Sequence, residues 1–110
     1  MLQWVKVLEA EDAKTTFIRK VKAGNRSLCM VGFEGKVFAV SAQCPHAGAE
    51  LVGGWCEDGK IVCPIHRYQY DLETGRGTEG QGDYVETFPV EVREDGVYVQ
   101  VKKRWSFLSS

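Results

Sequence analysis

Two short stretches decide how this chain folds and what it binds: Cys44-Pro45-His46 and, after sixteen further residues, Cys63-Pro64-Ile65-His66. Together they contain both histidines of the chain and two of its four cysteines. Each stretch offers one thiolate and one imidazole, side chains that suit transition metals. The pattern therefore predicts a metal centre held by Cys44, His46, Cys63 and His66.

Neither stretch is long enough to surround a metal by itself. Each must present one sulfur and one ring nitrogen from a tight loop, and the other loop must complete the coordination. Pro45 and Pro64 stiffen these loops because proline fixes φ and removes a backbone donor. Gly48 gives the first loop conformational freedom, so that backbone N–H groups can turn toward the buried sulfurs.

Two kinds of metal centre use two cysteines and two histidines. In zinc sites with this ligand set, cysteine is usually paired with cysteine and histidine with histidine along the chain. Here each stretch is mixed, which favours a 2Fe-2S cluster with two cysteines on one iron and two histidines on the other. A zinc-stabilised binding module stays open as the alternative.

The surrounding residues add a family resemblance. Gly48 stands two residues after the first histidine, and the second histidine begins the run His66-Arg67-Tyr68-Gln69-Tyr70-Asp71. With these features the chain resembles the Rieske family over nearly all of its length, specifically the small soluble Rieske-type ferredoxins and the small subunits of assimilatory nitrite reductases. The resemblance implies one 2Fe-2S cluster per chain. It places Cys44 and Cys63 on the buried inner iron and His46 and His66 on the outer iron.

The chain departs from the quinol-oxidising branch of that family. Ala49 and Ile65 stand where that branch has two further cysteines joined as a disulfide, and Tyr68 stands where it has a serine. Tyr70 is retained as a hydroxyl donor. Fewer donors to the cluster sulfurs leave the extra electron less stabilised, which predicts a reduction potential of about −150 mV, at the low end of the Rieske range. We therefore expect no role in quinol oxidation.

Short β-prone runs with glycine turns cover the chain and predict an all-β fold, an antiparallel sandwich or barrel. Two hairpins are predicted, one with Glu34-Gly35 between residues 27–33 and 36–41 and one with Asp95-Gly96 between residues 87–93 and 97–101. The length suits a single domain over residues 1–110. The family resemblance implies an inserted cluster-binding subdomain, at roughly residues 42–72.

The remaining conspicuous residues have ordinary structural interpretations. Cys29 lies in an apolar strand-like run and is expected to be a core thiol, and Cys56 lies in a predicted loop between the two metal-binding stretches and is expected to be partly exposed. A reduced pair is favoured, although a disulfide between them stays possible. The glycine-rich residues 75–82 lack the Lys-Ser/Thr and helix of a phosphate loop and are interpreted as a flexible loop. Residues 102–110 are expected to extend the last strand.

Composition excludes several classes of function. The net charge of −1 gives no basic face for nucleic acid, and no apolar run approaches the length that spans a membrane. The N-terminal residues are interrupted by charge too soon for a signal peptide, so a cytoplasmic location is expected.

The predicted function is electron transfer rather than catalysis. With both histidines assigned to the cluster, no imidazole is left for acid–base chemistry or for a second iron, and no nicotinamide or flavin fingerprint is present. The resemblance implies a ferredoxin that passes electrons from a flavin reductase to a terminal oxygenase. The alternative within the family is the small subunit of a nitrite reductase, with the large subunit as its partner.

Overall fold

The computed structural model describes residues 2–45, 48–65 and 67–102, which form an antiparallel β structure. The strands are β1 (Leu2–Leu8), β2 (Phe17–Ala23), β3 (Arg26–Phe33), β4 (Lys36–Ser41), β5 (Trp55–Glu57), β6 (Lys60–Val62), β7 (Gln69–Asp71), β8 (Thr87–Phe88), β9 (Val90–Arg93) and β10 (Gly96–Lys102). Short 3₁₀ helices span Ala10–Lys14 and Leu51–Gly53. The expected strand extension over residues 103–110 lies outside the described residues.

These strands form three sheets. The first has the order β1-β10-β9, the second β2-β3-β4-β8 and the third β5-β6-β7, and every pairing is antiparallel. The predicted all-β antiparallel fold is confirmed. No helix in the described part of the chain is long and apolar enough to cross a membrane.

The second sheet is buried on both faces and separates two cores. Successive side chains of a strand point to opposite faces, so Leu28 and Met30 of β3 join one core while Cys29 and Val31 join the other. The first core also contains the inward valines of β10. The second core contains residues of the third sheet together with Cys44 and Cys63. Strand β3 therefore connects the structural base of the molecule to the predicted metal centre.

The hairpin predicted at Glu34-Gly35 is confirmed. Both residues have positive φ, 51° and 77°, and Phe33 pairs with Lys36. Positive φ at both central residues is the signature of the type I′ turn, whose twist matches that of the flanking strands.

The second predicted hairpin forms with its turn shifted by one residue. Glu94 and Asp95 make the turn, and Gly96 is already paired with Arg93 as the first residue of β10. A Cβ atom at Gly96 would lie 2.5 Å from Cε of Lys6 and 2.8 Å from the carbonyl oxygen of Leu8. The glycine is therefore needed inside the strand, where β1 approaches closely, and not at the turn.

The continuous strand predicted over residues 87–93 is wrong, because Pro89 divides it. Strand β8 pairs with β4 in the second sheet, whereas β9 pairs with β10 in the first. Proline has no N–H to contribute to a ladder, so it is suited to the point where the chain leaves one sheet and enters another.

The segment between the two metal-binding stretches also differs from the expectation of a loop. It contains the β5–β6 hairpin, in which Cys56 pairs with Ile61. Asp58 and Gly59 form its turn with φ values of 50° and 76°. The Asp-Gly dipeptide is the sequence signal for such a turn, and it could have located this hairpin.

Candidate metal centre

The two predicted ligand loops have the same backbone closure. The N–H of Cys44 donates to the carbonyl oxygen of Ala49 at 2.8 Å, and the N–H of Cys63 donates to the carbonyl oxygen of Tyr68 at 2.7 Å. In each loop the bond joins the cysteine to the residue five positions further along. Two different sequences thus produce loops of one size, each beginning at a cysteine.

The loops also share a left-handed residue four positions after the cysteine. This residue is Gly48 in the first loop, with φ of 70°, and Arg67 in the second, with φ of 55°. A Cβ atom at Gly48 would meet nothing within 4 Å, so the requirement for glycine there is one of backbone conformation and not of space. The predicted use of the conformational freedom of Gly48 is confirmed by its positive φ, whereas the matching conformation of Arg67 has no signal in the sequence.

The structure brings the two predicted sulfur ligands together in the second core. Cys44 and Cys63 are fully buried. Burial raises the pKa of the Cys63 thiol, and the neighbouring Cys44 side chain raises this pKa further, while the N–H of Ile65 opposes the effect by donating to Cys63 Sγ at 3.4 Å. The two side chains are therefore neighbours in the second core, as two ligands of one metal ion would be.

The other two predicted ligands, His46 and His66, lie outside the described residues, as does Ala47. Within residues 2–45, 48–65 and 67–102, no group of three or more cysteine or carboxylate side chains is placed to hold a metal. The described part of the site is thus the cysteine pair and the two loops that carry it. Coordination by the histidines stays a prediction.

The donor set of the described half fits an iron–sulfur cluster. Metal coordination requires both cysteines as thiolates, and two adjacent buried thiolates need compensating positive charge. Among the described residues no charged side chain is buried, so no lysine or arginine supplies that charge. A metal ion would do so, and an N–H donor toward Cys63 is already in place.

Tyr70 lies beside the cysteine pair, as predicted for a hydroxyl donor. Its side chain is fully buried, and its hydroxyl oxygen lies 3.3 Å from Cys44 Sγ. The same hydroxyl donates to Asp83 Oδ2 at 2.9 Å. Burial, followed by the contacts with Cys44 and Asp83, raises the pKa of Tyr70 far above its usual value, so the hydroxyl keeps its hydrogen.

Asp83 is the residue near the site that sequence reasoning missed. It is thirteen positions from Tyr70 and follows the glycine-rich segment, and no local pattern links it to the metal-binding stretches. Residues 75–82, interpreted from the sequence as a flexible loop, are anchored instead. Thr78 donates its N–H to the carbonyl oxygen of Gln69 at 3.1 Å, and Gly77 is bridged to Tyr70.

The two remaining cysteines pack in the same core as the predicted ligand pair, but among the described residues they form no metal-binding group with it. Cys29 is fully buried and Cys56 is half-buried, and both are free thiols, as favoured from the sequence. Burial, with smaller contributions from Cys56 and Glu50, raises the pKa of Cys29 from 9.0 to about 12. Burial also raises the pKa of Cys56.

Comparison with known proteins gives a consistent result. The family model of the Rieske [2Fe-2S] domain matches residues 3–89. Human apoptosis-inducing factor 3 is 30% identical over 99 residues, covering 89% of this chain and 16% of that protein. The ferredoxin component of the alkene monooxygenase system of Xanthobacter autotrophicus is 27% identical over 99 residues, covering 89% of this chain and 81% of that protein. The chain therefore spans about a sixth of the human relative and most of the bacterial one.

A solved structure shares both fold and extent with this chain. In the complex of reduced oxygenase and oxidized ferredoxin in carbazole 1,9a-dioxygenase, one chain is matched with a TM-score of 0.80 and 30% identity. The match covers 94% of this chain and 97% of that chain. It supports the antiparallel β fold independently of the family model.

We expect Gly48→Ala to destabilise the first ligand loop, because a residue with a Cβ atom pays about 1 kcal/mol or more in the left-handed region. A loss of that size should lower the melting temperature of the iron-loaded protein by about 4–8 °C. Arg67→Gly, at the equivalent position of the second loop, should not lower it. Thermal unfolding followed by circular dichroism would measure both variants, and an unchanged melting temperature for Gly48→Ala would contradict the conformation described.

The thiol of Cys29 should be protected from alkylation in the folded protein. With a pKa raised to about 12, only about one thiol in ten thousand is ionised at pH 8, and the thiolate is the reactive form. We expect iodoacetamide at pH 8 to modify Cys56 before Cys29 in the iron-loaded protein, measured by peptide mass spectrometry. Rapid modification of Cys29 without unfolding would show that it is not a buried core thiol.

Proposed function

Since the chain belongs to the Rieske [2Fe-2S] domain family, we propose that it is the ferredoxin component of an oxygenase system, which carries single electrons from a flavin reductase to a terminal oxygenase. The cofactor is a 2Fe-2S cluster of the Rieske type, and its bound form accepts and releases one electron. The chain is an electron carrier and not the catalytic component, as the ferredoxin components among its relatives indicate.

One structural observation carries the proposal most directly. Two loops with the same hydrogen-bonded closure each begin at a buried cysteine, and the two cysteines lie side by side. We assign Cys44 and Cys63 to the inner iron. We assign His46 and His66, which follow within the same loops, to the outer iron, since these are the only two histidines of the chain.

The extent of the match supports a ferredoxin component of this kind. The chain covers 81% of the alkene monooxygenase ferredoxin component and 97% of a chain in the carbazole dioxygenase complex. We propose that residues 1–110 form one Rieske domain, in which roughly residues 42–72 are the cluster-binding subdomain. The third sheet lies within that segment. We also propose that the protein works in the cytoplasm, where its reductase and oxygenase partners would be found.

The two alternatives from the sequence are less well supported. Membership of the Rieske [2Fe-2S] domain family argues against a zinc-stabilised binding module, because members of this family bind iron and sulfide. The named relatives favour oxygenase systems over a nitrite reductase. The experiment that separates these partners is reconstitution of electron delivery with purified components.

In that experiment, NADH, a flavin reductase and a terminal oxygenase of the carbazole dioxygenase class are combined with and without this protein. We expect oxygenated product only when the iron-loaded protein is present, and none with its Cys44→Ser variant. A sirohaem nitrite reductase serves as the competing acceptor. Electron delivery to that enzyme and not to the oxygenase would replace the proposal with the nitrite reductase alternative.

The ligand assignment predicts the outcome of single substitutions. Purified protein should contain about two irons and two acid-labile sulfides. Cys44→Ser, Cys63→Ser, His46→Ala and His66→Ala should each lose the cluster or its Rieske absorption and EPR spectra, because a ligand is removed and the loops then have no common metal to enclose. Iron and sulfide analysis with EPR measures both.

The two spare cysteines provide matched controls, since Cys29→Ser and Cys56→Ser remove the same thiol outside the proposed site. Both variants should keep the iron, the sulfide and the spectrum. Loss of the cluster in either one, or stoichiometric zinc without sulfide in the parent protein, would show that the ligand assignment is wrong.

A further inference from the structure

The hydroxyl of Tyr70 stands between two acceptors. Its oxygen lies 3.3 Å from Cys44 Sγ on one side and 2.9 Å from Asp83 Oδ2 on the other. The side chains of Tyr70 and Cys44 are fully buried. The hydroxyl has one hydrogen, so it can donate to only one of these two atoms at a time.

Binding of iron by Cys44 would make its sulfur and the Asp83 carboxylate compete for the one hydroxyl hydrogen of Tyr70. A free Cys44 thiol has its own hydrogen and can donate to the tyrosine oxygen, but a metal-bound cysteine has lost that hydrogen and can only accept. The Tyr70 hydroxyl can then donate either to Asp83 Oδ2 or to Cys44 Sγ. A bond from a hydroxyl to a carboxylate is charge-assisted and strong, whereas sulfur is a weak acceptor.

We infer that Asp83 holds the hydroxyl hydrogen of Tyr70 and thereby withholds a hydrogen bond from Cys44, which keeps the reduction potential of the cluster low. Hydrogen bonds to the sulfurs are one of the features that set the potential of an iron–sulfur cluster. A tyrosine at this position therefore does not by itself donate to the sulfur. Asp83 is a positioning residue that acts through Tyr70, and the inference rests on the proposed role of Cys44 as a ligand.

The glycine-rich segment holds Asp83 in place. Gln81 accepts the N–H of Gln69 at 2.9 Å and donates both to the carbonyl oxygen of Gln69 at 3.2 Å and to Asp83 Oδ1 at 3.2 Å. The N–H of Gly77 donates to the carbonyl oxygen of Asp83 at 3.0 Å. The carboxylate is thus fixed through both its backbone and its second oxygen, and Oδ2 faces Tyr70.

Gly77 is needed for this arrangement. A Cβ atom there would lie 2.6 Å from the carbonyl oxygen of Asp83, 2.7 Å from Gln81 Nε2 and 2.9 Å from Asp83 Oδ1. These are closer than real Cβ contacts, so any other residue would force Asp83 or Gln81 to shift. The glycine-rich residues 75–82 thus have a defined structural role beside the proposed metal centre.

A double-mutant cycle tests the inference with the iron-loaded protein. Asp83→Leu removes the acceptor and keeps a side chain of similar length, but it also removes a negative charge, which alone would raise the potential. Tyr70→Phe removes the hydroxyl. Measuring Asp83→Leu both alone and together with Tyr70→Phe separates the two effects, because only the charge effect survives when the hydroxyl is absent.

We expect Tyr70→Phe to change the potential little when Asp83 is present and to lower it clearly when Asp83 is replaced by leucine. The expected coupling is about tenfold in the equilibrium constant for reduction, which is about 59 mV for one electron. Direct voltammetry gives the potentials. Resonance Raman bands of the bonds between iron and cysteine sulfur should shift in deuterated solvent for Asp83→Leu more than for the parent protein.

Two further variants act as controls. Asp83→Asn retains the shape of the loop and a weaker, neutral acceptor, so it should show a smaller coupling of the same sign. Glu79→Gln makes the same change of charge on an exposed residue of the same segment, and it should show no coupling with Tyr70→Phe.

Equal effects of Tyr70→Phe in the presence and absence of Asp83 would overturn the inference, because Asp83 would then not control whether the hydroxyl donates to Cys44. Iron and sulfide contents are measured for every variant. If the parent protein itself lacks the cluster, the proposed function fails. If all variants contain it and the potentials are additive, only the inference about Asp83 fails.

Discussion

The burial of two cysteine sulfurs side by side is the constraint on which the rest of the structure depends. As thiolates they carry charge into a core in which no described charged side chain is buried, and such charge is tolerated only when it is compensated. In the proposed site a metal would provide the compensation, and the N–H of Ile65, which donates to Cys63 Sγ, adds to it. The two ligand loops present these sulfurs in the same way. In each loop the cysteine N–H donates to the carbonyl oxygen five residues later, and the chain turns at one left-handed residue.

The arrangement of the sheets explains how a small chain supports such a site. The second sheet is packed on both faces, against the first sheet on one side and against the cysteine pair and third sheet on the other. The alternation of side chains along β3 gives each core a share of the same strand. Pro89 ends the pairing of β8 with the second sheet and lets the chain continue into the first. The two ligand loops therefore pack on a sheet whose opposite face is covered by the first sheet.

The contact between Asp83, Tyr70 and Cys44 links this architecture to redox function. The third sheet places Tyr70 against the sulfur, and the segment anchored by Gln81 places a carboxylate on the same hydroxyl. A donor toward a cluster sulfur would stabilise the reduced state, and a competing acceptor removes that stabilisation. A carrier with a low potential can deliver its electron to an oxygenase, which is the direction that the proposed function requires.

The sequence alone determined the features that depend on neighbouring residues. The two mixed Cys/His stretches predicted the metal centre, Glu34-Gly35 predicted its hairpin, and Gly48 predicted conformational freedom in the first ligand loop, because each depends on chemistry within a few positions. Asp58-Gly59 carried the same kind of signal for the β5–β6 turn, although the segment was expected to be a loop.

Only the tertiary structure decided the features that depend on contacts between distant segments. Gly96 is fixed inside β10 by the approach of β1, Pro89 marks a change of sheet, and Arg67 adopts the conformation that its loop imposes. Asp83 meets Tyr70 because the folded loop returns to the third sheet. A hydrogen-bond partner thirteen residues away leaves no periodic or local pattern, since its position is set by packing and not by the residues beside it.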